Sequence, residues 1–132
     1  IQQTTFTLRA RARGFHLVTD EVLSHLPALP KTGLLNLFIQ HTSAGLSVNE
    51  NCDPDVRSDM EKIFNNLVRE RDPGTTNLGS WDDMPAMPIL TGGASLSIPI
   101  TDGRLNLGTW QGIYLCEFRN HGGGRRIVLP SS

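Results

Sequence analysis

One histidine stands at the head of the densest polar stretch of the chain, Gln40-His41-Thr42-Ser43-Ala44-Gly45-Leu46-Ser47-Val48-Asn49-Glu50-Asn51-Cys52-Asp53. An imidazole there can serve as a base or as a metal ligand, because its ordinary pKa lies closest to neutrality. Thr42 and Ser43 offer hydroxyls to a phosphate, and Asn49, Glu50 and Asp53 can orient a ligand or another side chain. Asn49 and Asp53 equally suit turning and capping the chain; for Asp53, followed by Pro54, capping is the stronger reading. A second cluster, Leu107-Gly108-Thr109-Trp110-Gln111-Gly112, sets an indole and an amide between glycines. It reads either as a rim supplying stacking and hydrogen bonds or as a packed turn.

These residues need elements to hold them. Phe6, Leu8, Ala10 and Ala12 alternate with Thr5, Thr7, Arg9, Arg11 and Arg13, which predicts one half-buried strand with an arginine face. Thr19 or Asp20 can cap a short helix through Val22, Leu23 and Leu26, ended by Pro27 and Pro30. Leu34 to Ile39 is a nearly continuous apolar run and predicts a central strand buried on both faces. Next, Asp53 and Pro54 open the clearest helix, with Val56, Met60, Ile63, Phe64, Leu67 and Val68 on one face and Arg57, Asp59, Glu61 and Lys62 in water on the other.

After this helix the polar stretch from Asp72 to Pro88 predicts a long loop. Ala94, Leu96, Ile98 and Ile100 then alternate with polar residues in a strand whose Pro99 suggests an edge or a bulge. Asp102-Gly103 predicts a hairpin turn, and Asn120 to Gly124 predicts another between strands at Ile113–Phe118 and Arg126–Leu129. Gly122-Gly123-Gly124 lacks the lysine and helix of a phosphate-cradling loop. Strands and two main helices without regular alternation predict an α+β fold with mixed or antiparallel sheets, a single compact domain over 1–132.

The 132 residues carry 12 Lys and Arg against 13 Asp and Glu, a formal net charge of -1, which argues against attachment to nucleic acid or anionic lipid by bulk charge. The arginine row Arg9, Arg11, Arg13 is the one feature that keeps a minor nucleic-acid reading open. No apolar run reaches the roughly 18 residues of a membrane-crossing helix, so the expected setting is cytoplasmic with no membrane partner. Cys52 and Cys116 are too few and too isolated for a zinc knuckle or a disulfide framework, and read as buried thiols.

Three separated motifs resemble the YjbQ family, also called UPF0047: His41-Thr42-Ser43-Ala44-Gly45-Leu46 with Asn49-Glu50-Asn51 and Asp53-Pro54; Asp82-Asp83-Met84-Pro85-Ala86; and Gly108-Thr109-Trp110-Gln111-Gly112-Ile113 with Glu117. The resemblance runs in order through nearly the whole chain. It implies a homotrimer and a weak, secondary thiamine-phosphate synthase activity, which joins a pyrimidine diphosphate to a thiazole phosphate and releases pyrophosphate. On that basis His41, Asn49 and Glu50 are the catalytic candidates, and Thr42, Ser43, Thr109 and Gln111 the candidates for a small phosphorylated ligand.

The chain departs from the family's pattern in one region. Relatives carry a histidine directly after the Met-Pro-Ala stretch and another earlier in the long loop, which with His41 would suit a divalent metal such as zinc. Here Met84-Pro85-Ala86 runs into Met87-Pro88-Ile89-Leu90, and Asp72 to Asp102 contains no histidine; the four present are His16, His25, His41 and His121. No metal and no other cofactor is therefore expected, and the activity is expected to be weak or absent. The altered loop, 72–93, gains an apolar run in which Met84, Met87, Ile89 and Leu90 could contact a second protein. A natural relative that lost its site and an engineered trimeric building block both fit that pattern.

Overall fold

The computed structural model describes residues 3–51, 54–67 and 93–130. The elements in chain order are β1 (Thr4–Leu8), β2 (Gly14–Leu17), α1 (Thr19–Ser24), β3 (Thr32–Ile39), β4 (Ala44–Glu50), α2 (Pro54–Leu67), β5 (Ser95–Thr101), β6 (Arg104–Leu105), β7 (Gln111–Glu117) and β8 (Arg125–Leu129). The strands form two antiparallel sheets, one five-stranded in the order β1-β8-β3-β5-β6 and one three-stranded in the order β2-β7-β4. The α+β expectation holds, with antiparallel pairing throughout the described strands.

Alternation explains how the layers stack. Phe6 and Leu8 from β1, Leu35, Leu37 and Ile39 from β3, and Ile98 and Ile100 from β5 meet Leu46 from β4 and Ile113 and Leu115 from β7 in one core between the sheets. Val18 and Val22 of the α1 region join that core. The other face of the small sheet presents Phe15, Tyr114, Cys116 and Phe118, against which Leu17 of β2 and Met60 of α2 pack. The small sheet is thus the middle layer, and β7 is buried from Gly112 to Glu117.

This corrects the placement of the doubly buried strand. Leu34–Ile39 lies within β3, but Leu34 is 51% and Phe38 43% exposed, because only one face of the large sheet meets the core. The expected single strand from Thr5 to Arg13 is also two elements: β1 ends at Leu8, Ala10 and Ala12 are exposed, and the chain enters the other sheet at Gly14. On α2, Met60 packs against the small sheet as expected, whereas Ile63 is 56% exposed and Arg57 and Glu61, expected in water, are half-buried. Cys52, Asp53, Val68 and the 72–92 part of the altered loop, with Met84, Met87, Ile89 and Leu90, lie outside the described residues.

Turn chemistry succeeds at one site and misleads at another. Asp102 and Gly103 both have positive φ, 54° and 75°, and join β5 to β6 with Thr101 opposite Arg104, as an Asp-Gly hairpin requires. Pro99 sits beside that short edge strand; its carbonyl accepts from the Asn106 N–H at 2.8 Å. Since a residue's nitrogen faces the same way as its carbonyl, the donor missing from proline is missing on the edge side and not from the β3 ladder. By contrast, Asn120 to Gly124 is not a hairpin: β7 and β8 belong to different sheets, and the glycines carry the chain from one to the other. Thr19 is likewise no cap. It is the first residue of α1, which has no side-chain cap, and its hydroxyl accepts the Ile113 N–H at 2.9 Å.

Candidate functional site

The polar stretch from Gln40 to Asn51 is mainly a strand, and this separates its residues. β4 carries seven residues from Ala44 to Glu50, which at about 3.3 Å per residue sets Ser43 and Asn49 roughly 20 Å apart. His41, Thr42 and Ser43 lie at one end of the small sheet; Asn49 and Glu50 lie at the other, where β4 pairs Glu50 with Gln111.

The His41 end is organised around a buried ion pair. Glu117 is fully buried and Arg125 is 3% exposed. Glu117 ends β7 on the side facing the sandwich interior, and Arg125 opens β8 in the opposite sheet, so the pair bridges the two layers. Arg125 donates from Nε to Glu117 Oε2 at 2.7 Å and from Nη2 to the other carboxylate oxygen. The same Nη2 donates to Ser43 Oγ at 3.0 Å and to the Ser43 carbonyl at 3.3 Å. The Arg119 N–H adds a 3.0 Å bond to Glu117 Oε1, and the Phe118 N–H donates to the Ser43 carbonyl at 3.1 Å. A buried charge pair is tolerable only when most of its remaining donors and acceptors are met; here Ser43 and the Arg119 amide supply partners beyond the pair itself. The Ser43 hydroxyl, a phosphate candidate by sequence, is 8% exposed and committed to Arg125.

His41 borders this pair. Its Nε2 accepts the backbone N–H of Arg126 at 2.8 Å, while the Gln40 N–H donates back to the Arg126 carbonyl at 3.1 Å. The ring is half-buried. Burial first, and then the charges of Arg125 and Arg126, hold its pKa below the ordinary histidine value, with Glu117 opposing. Thr42 beside it is exposed.

At the opposite end the bonds that tie β4 to β7 come from neutral groups. Gln111 Oε1 accepts the Gly108 N–H at 2.8 Å, closing the Gly108–Gln111 turn that leaves Thr109 exposed and Trp110 61% exposed. Asn51 donates its N–H to the Trp110 carbonyl at 2.8 Å and its side-chain amide to the Gln111 carbonyl at 3.1 Å. Asn49 spends its carbonyl oxygen on the Glu50 N–H, and the Glu50 backbone carbonyl accepts the Tyr114 hydroxyl, whose pKa burial pushes up. An open depression of about 800 Å³ lies here, lined by Gln111, Asn51, Thr19, Arg9, Arg11 and Glu21 among others. Burial disfavours the Glu21 carboxylate, but the Arg9 N–H and the Arg11 guanidinium outweigh it and hold the pKa below the usual range. Arg11 is therefore paired and only 11% exposed, and Arg13 is half-buried, so the arginine row does not form the open face that phosphate-backbone contact needs.

The remaining histidines are dispersed. His16 Nε2 lies 2.7 Å from the Ala12 carbonyl, His25 stacks on Phe6, and His121 is exposed. Among the described residues no group of three or more His, Cys, Asp or Glu could hold a metal. His41 has its Nε2 lone pair engaged by an amide, so the donor set does not fit a histidine-ligated zinc.

Glu117 and Arg125, the centre of this end, were not among the candidates drawn from sequence. A glutamate inside Ile113-Tyr114-Leu115-Cys116-Glu117-Phe118 was the available signal: a carboxylate in a buried strand demands a cation, and Arg125 follows the next turn.

With this geometry in place, comparison with known proteins is decisive for kinship. The family model described as UPF0047 protein YjbQ-like matches residues 4–131. The chain belongs to the YjbQ family. UPF0047 protein YjbQ of Escherichia coli O157:H7 is 50% identical over 129 residues, covering 96% of this chain and 94% of that protein. UPF0047 protein YugU of Bacillus subtilis is 38% identical over 102 residues, 76% of each. A conserved hypothetical protein of Thermus thermophilus has the same fold at TM-score 0.81 and 31% identity, covering 95% of this chain and 97% of its own. A YjbQ/UPF0047 family protein of Clostridium acetobutylicum, described as uncharacterized, follows at TM-score 0.76 and 29% identity, covering 96% and 99%. The shared fold carries no stated activity. No helix among the described residues is long and apolar enough to cross a membrane.

Proposed function

We propose that this YjbQ-family chain binds a small phosphorylated ligand at its His41 end, and that its chemistry is a weak thiamine-phosphate synthase reaction. In that reaction the thiazole nitrogen forms a bond to the pyrimidine's methylene carbon, the carbon–oxygen bond to the diphosphate breaks, and pyrophosphate leaves with the electron pair. The step asks for hydrogen-bond donors at the leaving group more than for a strong base. The observation that supports the reading is the half-buried His41 ring, held by the Arg126 amide, with the exposed residue Thr42 next to it.

The reading includes a homotrimer. Leu34 and Phe38 expose apolar surface on the outer face of the large sheet, and a second copy covering that face would remove it from water. The test is incubation of the purified chain with the pyrimidine diphosphate and the thiazole phosphate, alongside calorimetric titration with inorganic pyrophosphate. Slow product formation that His41→Ala abolishes is the expected result. Neither product nor pyrophosphate binding would refute it. Light scattering at several concentrations should return three times the chain mass, and a monomer would refute the assembly.

A further inference from the structure

The imidazole of His41 has two nitrogens, and the fold decides between them. A backbone N–H can only donate, so the Arg126 amide requires His41 Nε2 to present its lone pair. A neutral imidazole carries one proton, which must then sit on Nδ1. That nitrogen has no hydrogen-bond partner among the described residues, and the ring is half-exposed.

What holds the Arg126 amide in place is its neighbour. Arg125 is fixed through three groups at once: the Glu117 carboxylate by both oxygens, the Ser43 hydroxyl and the Ser43 carbonyl. Ser43 lies two residues after His41, and Arg125 one residue before Arg126, so the same clamp grips both partners of the ring's hydrogen bond. Close packing reinforces it: a Cβ on Gly122 would collide with Arg125 Nη2 and lie 2.7 Å from Glu117 Oε1. The pair cannot move toward that turn.

We propose that Arg125 and Glu117 are positioning residues which, through the Arg126 amide, lock His41 as the Nδ1–H tautomer, so that it offers a proton donor to an oxygen-rich anion and acts neither as a base nor as an Nε2 metal ligand. The ligand part of this rests on the function proposed above; the tautomer part does not. The charged groups around the ring are Arg125, Arg126 and Glu117. Arg125 is buried and neutralised by Glu117, which leaves a neutral N–H donor next to the exposed residue Arg126, an arrangement that suits a phosphate or pyrophosphate oxygen.

Nitrogen-15 NMR of the histidine rings in the full, unliganded chain separates the tautomers. The expected spectrum above neutral pH shows His41 with a protonated Nδ1 and a bare Nε2; a proton on Nε2 overturns the proposal. Arg125→Lys keeps the charge but cannot bridge two carboxylate oxygens and Ser43 together. In the folded variant the tautomer ratio should fall about fivefold, the equivalent of roughly one lost hydrogen bond; an unchanged ratio overturns the positioning role. If Arg125→Lys does not fold, Ser43→Ala removes one of the arginine's acceptors and is read the same way, with a smaller fall expected and no fall overturning the role. Inorganic pyrophosphate should then shift the Nδ1–H resonance. A locked tautomer supports the positioning proposal even where pyrophosphate leaves that resonance unmoved, an outcome that instead counts against the binding function.

Discussion

The two ends of the small sheet are held by different physics. At the His41 end the sheets are joined by Glu117 and Arg125, a buried pair with nearly all its hydrogen-bonding capacity spent inside the protein. At the Gln111 end β7 is tied by amides and a hydroxyl to the end of β4 and to α1, and the charges there, Arg9, Arg11 and Glu21, lie nearer the surface. One end is costly to perturb and rigid; the other is built from individually modest contacts around an open depression. A ring that must keep one tautomer belongs at the first, and a surface that tolerates sequence change belongs at the second.

The largest effect should come from removing one partner of the pair. Glu117→Ala leaves Arg125 buried without its carboxylate, and urea unfolding should show a loss of about 3–5 kcal/mol. Replacing both partners together, Glu117→Leu with Arg125→Met, should recover much of that stability, because a well-packed apolar pair incurs no desolvation of charge. If the single variant costs no more than a surface pair does, the contrast between the ends fails.

A second comparison places one methyl group at each end. At Gly122 the added carbon meets the clamped guanidinium and carboxylate; at Gly112 it meets Leu17 Cδ1 at 2.5 Å, with Asn51 Cβ at 3.1 Å and Thr19 Oγ1 at 3.2 Å. Leu17 is half-buried and its terminal carbon can rotate away, whereas the pair cannot without losing bonds. Gly122→Ala should therefore cost about 2 kcal/mol, toward the middle of the range for overpacking, and Gly112→Ala less. Equal midpoints in denaturant would show that both ends yield alike.

How much of this was legible beforehand follows from what periodicity can and cannot report. The Asp102-Gly103 hairpin and the strand through Ile98 and Ile100 were readable because the signals are local: both turn residues adopt positive φ, and side chains alternate. Burial of Leu34 and Phe38 was misjudged because an apolar run does not say whether a second layer covers it; Ile113–Phe118, apolar in the same way, is the strand that two layers cover. Gln40–Asp53 is polar enough to suggest a site leading into a helix, yet β4 needs only Ala44, Leu46 and Val48 on its core side, so polar residues can occupy other positions. Family resemblance pointed to His41 and Gln111 together, but it cannot show that a strand's length separates them within one chain. A glutamate in the apolar run Ile113–Phe118 signals that a cation is needed, but the crossing between sheets that brings Arg125 to Glu117 is not a local pattern.

At the neutral end, Thr19→Val keeps the shape of the side chain and removes the acceptor of the Ile113 N–H. Ile113 is fully buried, so its amide would lose its partner out of reach of water. The expected cost is about 1 kcal/mol, read as a shift in denaturant midpoint. Thr19→Ser, which retains the hydroxyl, should recover most of it. A loss as large as that of Glu117→Ala would mean that the neutral end bears more of the fold than its individual bonds indicate.

The smallest effect is a dependence on pH that separates the ends by its sign and range. His41 has its pKa lowered by burial and by Arg125 and Arg126, so in mildly acidic solution the unfolded chain takes up a proton that the folded one resists. Where the unfolded state binds more protons, stability rises with pH; the contribution of His41 is therefore a loss that begins as pH falls through about 6.5 and levels off below the lowered folded value. Glu21, also lowered, contributes stability that is present above the ordinary glutamate value and is lost at more acidic pH, as the folded carboxylate protonates. His41→Gln supplies a carbonyl oxygen that can accept the Arg126 N–H but does not titrate. Its midpoint should match the parent chain above neutrality and should not fall through the histidine range, while the more acidic loss from Glu21 remains. Because the ring is half-exposed, solvent limits the size of the difference, and thermal midpoints taken at close pH intervals are needed to resolve it. Parallel curves for the two proteins through the histidine range would show that His41 does not exchange its amide bond for a proton, and would remove the physical basis for treating that end as the one that fixes a protonation state.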